Sequence, residues 1–380
     1  MLILRKVKLF PCAFLFGILL AALAVVDILS PDKAVSDLEN RVLKQPPAFN
    51  AEMLAENRWT KDYGEYVREQ FVFRDGWLKM HSFLEQCLQK MEIGGVWLGR
   101  DDYLMAKTPY NEASVQAVLE TNAKAVCSFA EKHQGNVYVM LVPSASNVLS
   151  GRLRYDPPRM DENAAINAIY KQLDAAGVCT IDLREIFGES DASGDQVYYR
   201  TDHHWTTDGG ALLAYRAFCN AAGLNAIEPP ADKLSRADGF YGSNYSKALN
   251  TGAVPDLLTY YNLANTISIE QYSTDGSAYF QEVALMAYDK LQTRDKYGAF
   301  LHGINGYTHI DGDGNGSIVM IKDSYGNCFA PYLIANYESI EAIDLRGRQS
   351  IEDIVRNDSD ILILYSFTMF AQDVDLFWLS

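Results

Sequence analysis

Residues 200–207 place an acid and two imidazoles at three consecutive positions, Asp202, His203 and His204, and Trp205 follows them. A carboxylate beside a histidine fixes the tautomer of the imidazole and raises its basicity, which serves either acid–base catalysis or metal binding. The stretch contains no serine or cysteine that could act as a nucleophile. A catalytic site built on these residues therefore needs a nucleophile from another part of the chain.

Ser324 is the candidate for that nucleophile. The apolar run Ser317–Ile321 predicts a buried strand, and Ser324 stands where this strand would meet the following helix. Such a turn exposes a hydroxyl at the carboxyl end of a strand, where the amides of a helix N-terminus can stabilise an oxyanion. A serine at a helix start is also a common N-cap. The residues around Ser324 do not form a GxSxG elbow, which disfavours the α/β-hydrolase family.

Metal binding is the alternative chemistry for Asp202, His203 and His204, as in DHH phosphoesterases. Consecutive histidines rarely face one ion, and no separate Asp-rich motif precedes them in the chain. We therefore expect neither a metal ion nor another cofactor.

The composition limits the partners of the chain. Its 380 residues are 48% hydrophobic, which is enough to bury a large core. The net charge is −16, from 33 basic and 49 acidic residues, and we therefore expect no nucleic-acid partner.

The first 30 residues predict a membrane anchor or a signal sequence. An apolar run from Leu9 to Leu29 follows Arg5, Lys6 and Lys8, so the positive-inside rule places everything after residue 30 outside the cytoplasm. We favour an uncleaved single-pass anchor because the run is longer than an ordinary signal core; cleavage near residues 22–24 would give a secreted protein. Residues 31–50 predict a polar tether.

Residues 51–380 predict one extracytoplasmic α/β domain. A helical pattern over 51–91 is followed by continuous apolar strands that alternate with helices, which is typical of a doubly wound, mostly parallel sheet. We expect strands near 136–142, 178–183, 317–321, 339–345 and 360–365, a helix from Thr207 through Cys219 and a short helix over 351–356. The loop after the strand over 178–183 carries Asp202, so this loop and Ser324 are both predicted at carboxyl ends of strands, where they can converge. The segment from about 225 to 300 is rich in Tyr, Asn, Ser and Gly, and it predicts an insertion beside the site.

The sequence resembles the DHHW protein family and, through it, the permuted SGNH-hydrolase-like domains of alginate O-acetylation proteins. The residues that carry the resemblance are Glu39, Asn40, Arg41, Gln70, Phe71, Arg74, Asp202, His203, His204, Trp205, Phe240, Gly242, Ser243, Tyr245, Asp323, Ser324, Tyr325, Asn327, Asp344 and Arg346. The resemblance implies a Ser324–His204–Asp202 triad on an SGNH-like sheet in circularly permuted order. It also implies an O-acetyltransferase or esterase acting on a cell-surface polysaccharide, with a membrane-bound acyl-donor protein as partner.

One departure from the SGNH pattern concerns the oxyanion hole. Ordinary SGNH enzymes complete it with Gly and Asn from separate blocks, but no Asn follows the last strand here. Asn305, Gly306 or the amides of Ser324 and Tyr325 are the substitutes, and His203 and Trp205 are expected beside the triad. The departure also leaves open a catalytically degenerate protein that binds glycan or scaffolds an envelope complex.

Overall fold

The computed structural model describes residues 11–110, 112–273, 277–348 and 350–379. The basic residues Arg5, Lys6 and Lys8 lie outside these ranges. The chain divides into two compact units, one formed by Met1–Gln89 with Leu249–Thr251 and the other by Lys90–Ala248 with Gly252–Ser380. Within the first unit, Glu69 and Gln70 hydrogen-bond the backbone of the segment predicted as a tether.

The first unit contains helices and one short hairpin. Its elements are α1 (Pro11–Leu29), β1 (Val35–Ser36), β2 (Arg41–Val42), α2 (Ala51–Ala55), α3 (Arg58–Gln70) and α4 (Arg74–Cys87). Within the described residues, α1 is the one helix long and apolar enough to cross a membrane, a test that a signal sequence also passes. The helical pattern predicted over 51–91 is divided, with a corner at Phe73, whose φ is 58°.

The second unit contains the remaining strands and helices. Its strands are β3 (Glu92–Ile93), β4 (Val96–Leu98), β5 (Leu104–Ala106), β6 (Val137–Val142), β7 (Cys179–Ile181), β8 (Leu234–Phe240), β9 (Asp256–Tyr261), β10 (Thr266–Tyr272), β11 (Ala278–Ala284), β12 (Tyr307–Asp311), β13 (Ser317–Lys322), β14 (Ser339–Ile343) and β15 (Asp360–Ser366). Its helices are α5 (Ala113–Lys132), α6 (Ala145–Val148), α7 (Glu162–Ala175), α8 (Arg184–Ala192), α9 (Leu212–Ala222), α10 (Ser243–Ala248), α11 (Tyr325–Leu333) and α12 (Phe367–Gln372).

Eight strands form the main sheet in the order β11-β10-β12-β14-β13-β15-β6-β7. The strands from β14 to β7 pair in parallel. If β13, β14, β15, β6 and β7 are numbered 1 to 5, their order in the sheet is 2-1-3-4-5, as in a doubly wound fold. The order is permuted because β6 and β7 precede β13 in the sequence. The predicted α/β fold with a mostly parallel sheet in permuted order is therefore confirmed.

Three antiparallel strands extend this sheet beyond β14. β12 pairs with β14, β10 with β12, and β11 with β10. The segment predicted as an insertion, 225–300, thus contributes β10 and β11 to the main sheet, and β8 pairs with β9 as a separate hairpin.

The side chains of the central strands alternate between two buried cores. In β13, Ile318 and Met320 join the core that packs against α9 and α11, whereas Val319 and Ile321 join the core that packs against α5, α7 and α12. A strand covered on both faces is apolar at every position, which is why these strands read as continuous apolar runs.

Two local predictions are corrected by the structure. The predicted helix over Ile351–Arg356 is wrong, since this segment forms a turn in which the amides of Ile354 and Val355 both donate to the carbonyl of Ile351. The helix predicted from Thr207 begins with a π-helical turn, Thr207–Ala211, before α9. All six cysteines are free thiols, and Cys219 and Cys328 are buried.

Candidate active site

The turn after β13 positions Ser324 at the carboxyl edge of the parallel sheet. The preceding residue, Asp323, is buried, and its carboxylate accepts hydrogen bonds from the amides of Tyr325 (2.9 Å) and Ser366 (2.8 Å). Burial raises the pKa of Asp323, although these hydrogen bonds oppose the effect. Because Ser366 ends the neighbouring strand β15, the Asp323 carboxylate ties the Ser324 turn to that strand.

The DHHW residues occupy a loop between α8 and α9. The sequence placed this loop directly after β7, but helix α8 intervenes. Asp256, on β9, holds the start of the loop by accepting hydrogen bonds from the amides of Arg200 (2.9 Å) and Thr201 (2.7 Å) and from the Thr201 hydroxyl (2.6 Å). At the other end, buried Trp205 donates its indole N–H to the Cys328 sulfur on α11, at 3.0 Å. The loop is thereby fixed against the helix that follows Ser324.

Asp202, His204 and Ser324 form one continuous line of polar contacts. The Nδ1 of His204 lies 2.5 Å from Oδ1 of Asp202, and its Nε2 lies 2.8 Å from Oγ of Ser324. Asp202 and His204 are both buried. Since a carboxylate only accepts hydrogen bonds, the proton of a neutral His204 belongs on Nδ1, and Nε2 is free to accept from the Ser324 hydroxyl.

The surroundings of Asp202 favour its ionised form. Burial by itself raises the pKa of this carboxyl, but the neighbouring charges of His204 and His203 and the hydrogen bond from His204 lower it, so that the net shift is downward. The amide of Ser243 donates to Oδ2 at 2.6 Å. A Cβ at Gly242 would lie 2.3 Å from the same oxygen, so a glycine is needed for this backbone to approach the carboxylate.

His203 lies beside the line of contacts. Its Nδ1 is 2.6 Å from the Ser243 hydroxyl, and its ring centroid is 3.8 Å from that of His204. Burial, followed by the proximity of the His204 imidazole, lowers the pKa of His203, although its side chain keeps 39% of its surface exposed. Its carbonyl accepts a hydrogen bond from the Tyr325 hydroxyl. The structure thus brings His203, Trp205 and Tyr325 together around His204, with Ser243 as an additional contact.

Two residues at the site were missed by the sequence reasoning. Tyr297 stacks on His204 with ring centroids 3.7 Å apart and an interplanar angle of 10°, and its hydroxyl donates to the Ser324 carbonyl at 3.2 Å. Arg294 places its guanidinium over the rings of Tyr241 (5.6 Å) and Tyr245 (5.2 Å). Both missed residues lie in the aromatic-rich segment, where the sequence carried no signal that distinguished them from their neighbours.

Of the residues expected to supply oxyanion donors, Asn305 and Tyr325 already donate to other groups in the structure. The Asn305 side chain donates to the Leu301 carbonyl at 2.6 Å, and the Gly306 carbonyl accepts the Asp344 amide at 3.1 Å. The Tyr325 amide is already directed to Asp323. Of the two amides proposed at the turn, that of Ser324 is the one for which the described part of the chain shows no acceptor.

Asp202, His203 and His204 are the one group within the described ranges whose ligand atoms could hold a metal ion, all lying within 4.8 Å of one another. Both ring nitrogens of His204 already have partners, Asp202 and Ser324. An ion bound by all three residues would therefore replace one of these contacts.

A permuted, mostly parallel sheet with a Ser–His–Asp arrangement at its carboxyl edge defines an SGNH-like α/β protein. The DHHW protein family matches residues 95–343, and the chain belongs to this family. The resemblance inferred from the motifs is confirmed.

Two curated relatives are similar over part of their length. A probable alginate O-acetylase AlgJ of Pseudomonas fluorescens is 28% identical over 161 residues, 41% of each chain. The corresponding protein of Pseudomonas putida is 27% identical over 124 residues, 32% of each chain. The matched region thus spans about two fifths or less of these relatives.

Two solved structures share the fold. A DHHW family protein of Eubacterium siraeum has a TM-score of 0.58 and 22% identity, covering 76% of this chain and 95% of its own. Bacillus cereus PatB1 with a sulfonyl adduct has a TM-score of 0.59 and 21% identity, covering 74% of this chain and 98% of its own.

Proposed function

We propose that the chain is an extracytoplasmic serine acyltransferase or esterase that acts on O-acetyl groups of a cell-surface polysaccharide. The observation that carries the proposal is the position of His204, with Nδ1 2.5 Å from Asp202 and Nε2 2.8 Å from Ser324. The similarity to probable alginate O-acetylases supports acetyl groups as the transferred unit and a glycan as the substrate.

In the first half-reaction, Ser324 receives the acetyl group. His204 Nε2 takes the proton of the Ser324 hydroxyl while Oγ attacks the acetyl carbonyl carbon. The ionised Asp202 holds the Nδ1 proton and stabilises the imidazolium that forms. The tetrahedral intermediate then collapses, the bond to the donor oxygen breaks, and His204 returns the proton to that oxygen.

The second half-reaction decides between the two activities. A hydroxyl group gives its proton to His204 Nε2 and attacks the acetyl carbon on Ser324, after which the ester bond to Oγ breaks and Oγ recovers the proton. A sugar hydroxyl makes the protein an O-acetyltransferase, whereas water makes it an esterase. Incubating the protein with acetylated and unacetylated envelope glycans, and following acetate by mass, separates the two.

We place this chemistry on the outer side of a membrane, anchored by α1. The length and apolar composition of α1 support this placement, and the basic residues before it favour a cytoplasmic N-terminus. A membrane-bound acyl-donor protein is then the proposed partner, since the acetyl group must be supplied outside the cytoplasm.

Serine-reactive labelling tests the proposal. A fluorophosphonate or sulfonyl fluoride should modify Ser324 alone, and both labelling and hydrolysis of an acetyl ester should be lost in Ser324→Ala and His204→Ala. His203→Ala is the matched control, because His203 contacts Ser243 rather than completing the line to Ser324. If His203→Ala abolishes turnover and His204→Ala does not, the assignment of the base is wrong. Activity that is lost to a chelator and restored by one metal ion would favour the metal site instead.

A catalytically inactive, glycan-binding scaffold is the second candidate. The observation that favours it is the use of the Tyr325 and Ser366 amides by Asp323, which leaves few donors for an oxyanion near Ser324. Glycan binding by a folded protein whose Ser324 neither reacts with the probe nor supports ester hydrolysis would establish this alternative.

A further inference from the structure

We propose that the corner between α3 and α4 rests in the lipid headgroup region of the membrane that α1 crosses. We call this the aromatic corner and define it as Phe71, Phe73 and Trp77. The inference rests on the proposed anchoring by α1 and is independent of the chemistry at Ser324. It assigns a lipid bilayer as the partner of a surface with no role in the proposed reaction.

Hydrogen bonds within the first unit join the aromatic corner to the end of α1. The Val72 amide donates to Oδ1 of Asp27 at 2.7 Å, and the indole N–H of Trp77 donates to the Val72 carbonyl at 3.1 Å. Immediately after α1, Asp32 accepts a hydrogen bond from the Tyr66 hydroxyl on α3 at 3.0 Å. These contacts fix the corner beside the point where the chain leaves α1.

The length of α1 sets the depth of that point in a bilayer. Its 19 residues span about 28 Å at about 1.5 Å per residue, close to the roughly 30 Å of a hydrocarbon core. Asp27 is two residues from the end of α1, so a spanning helix brings its carboxylate to the edge of the hydrocarbon. The Val72 amide, bonded to Asp27, then lies at the same level.

The exposed side chains of the corner suit the interface between lipid and water. Val72 is buried, but its neighbours Phe71 and Phe73 are exposed, Phe73 to 66%, and Trp77 is 43% exposed. Exposed aromatic rings cost free energy in water, whereas Trp and other aromatic side chains are favoured at the headgroup level. The bilayer crossed by α1, a helix of the same compact unit, provides the apolar medium that covers these rings.

Tryptophan quenching by brominated lipids tests the inference with the full chain in phosphatidylcholine vesicles. Bromine near the headgroup end of the acyl chain should quench the fluorescence more than bromine near the methyl end. Trp77→Phe should reduce this quenching, because Trp77 is the tryptophan of the aromatic corner. Trp378→Phe is the matched control, because Trp378 is similarly exposed, at 40%, but is not part of the aromatic corner, and its removal should leave the quenching by headgroup-proximal bromine unchanged.

A second variant guards against a folding defect in Trp77→Phe. Phe73→Ser keeps every tryptophan and removes an aromatic ring that is 66% exposed, so it should lower the quenching while the circular dichroism spectrum stays that of the parent. If the chain remains with the vesicles but both variants are quenched like the parent, the bilayer is not the partner of the corner, although the anchor stands. If the chain does not remain with the vesicles, the anchor and the corner fail together, and labelling of Ser324 still tests the chemistry.

Discussion

Asp202→Asn is the substitution that the geometry predicts most sharply. The Asp202 carboxylate faces three donors: the His204 amide (2.9 Å), His204 Nδ1 (2.5 Å) and the Ser243 amide (2.6 Å). Asparagine has the same size but offers one acceptor oxygen and one NH2 donor. If its NH2 group faces Ser243, this group and the Ser243 amide are two donors that face each other without an acceptor. If it faces His204, the imidazole must move its proton from Nδ1 to Nε2.

The two consequences differ in size. An unsatisfied buried donor costs about 1–3 kcal/mol of folding stability. The tautomer change costs more in turnover, because a protonated Nε2 cannot accept the proton of Ser324. The same exchange in the Ser-His-Asp template lowers kcat about 10⁴-fold, or roughly 5 kcal/mol in activation free energy. Both orientations also remove the negative charge that stabilises the imidazolium, so we expect kcat to fall about 10³- to 10⁴-fold, with a much smaller change in KM.

Steady-state hydrolysis of a chromogenic acetyl ester and thermal unfolding separate these effects. Asp256→Asn is the matched control, because Asp256 is also buried but accepts its hydrogen bonds from Gln196, Arg200 and Thr201 rather than from His204. It should lower Tm as Asp202→Asn does, with kcat kept within about tenfold. The reasoning is refuted if folded Asp202→Asn retains more than about a tenth of kcat, or if the two variants lose equal turnover.

Three further perturbations give distinct readouts. Asp323→Asn leaves the Tyr325 or Ser366 amide without its acceptor, and kcat on the acetyl ester should fall about tenfold or more while KM changes little. Tyr297→Phe keeps the ring that stacks on His204, so its kcat should stay within about threefold of the parent, whereas Tyr297→Leu should lose about tenfold. Burial raises the pKa of Glu162 to about 7 despite two hydrogen bonds from Ser144. Stability present at acidic pH is therefore lost as pH rises through about 7, and Glu162→Gln should flatten the dependence of Tm on pH measured by calorimetry.

The parts of the fold that were predictable are those in which one physical rule acts on every residue of an element. β6, β13 and β15 are covered on both faces, so each contains an unbroken apolar run that the sequence displays directly. The carboxyl ends of parallel strands meet at one edge of a sheet. This rule indicated that Ser324 and the histidines could converge, and the family resemblance implied that His204 is the partner of Ser324. The structure brings His204 Nε2 within hydrogen-bonding distance of the Ser324 hydroxyl.

The parts of the fold and of the site that could not be predicted depend on contacts between distant residues, which leave no local pattern in the sequence. Nearly every side chain of β11 is exposed, so this strand has no apolar run, and backbone pairing with β10 defines it instead. The stacking of Tyr297 on His204 joins residues from distant parts of the chain, and one tyrosine among many gives no signal of it. The segment over 351–356 has apolar residues at helical spacing, and Ile351, Ile354 and Val355 do pack against the core, but a turn presents them to the core as well as a helix would.

Asp323, the residue before Ser324, both fixes the turn that carries Ser324 and occupies amides that could otherwise face an oxyanion. Its two oxygens hold the amides of Tyr325 and Ser366, so the Ser324 turn and the end of β15 are fixed to each other. The same bonds remove both amides from the set that could face an oxyanion. Of the two amides proposed at the turn, that of Ser324 is then the one left to face an oxyanion. A large fall in kcat without a change in KM for Asp323→Asn would show that the rigid turn matters more to turnover than the amides it consumes.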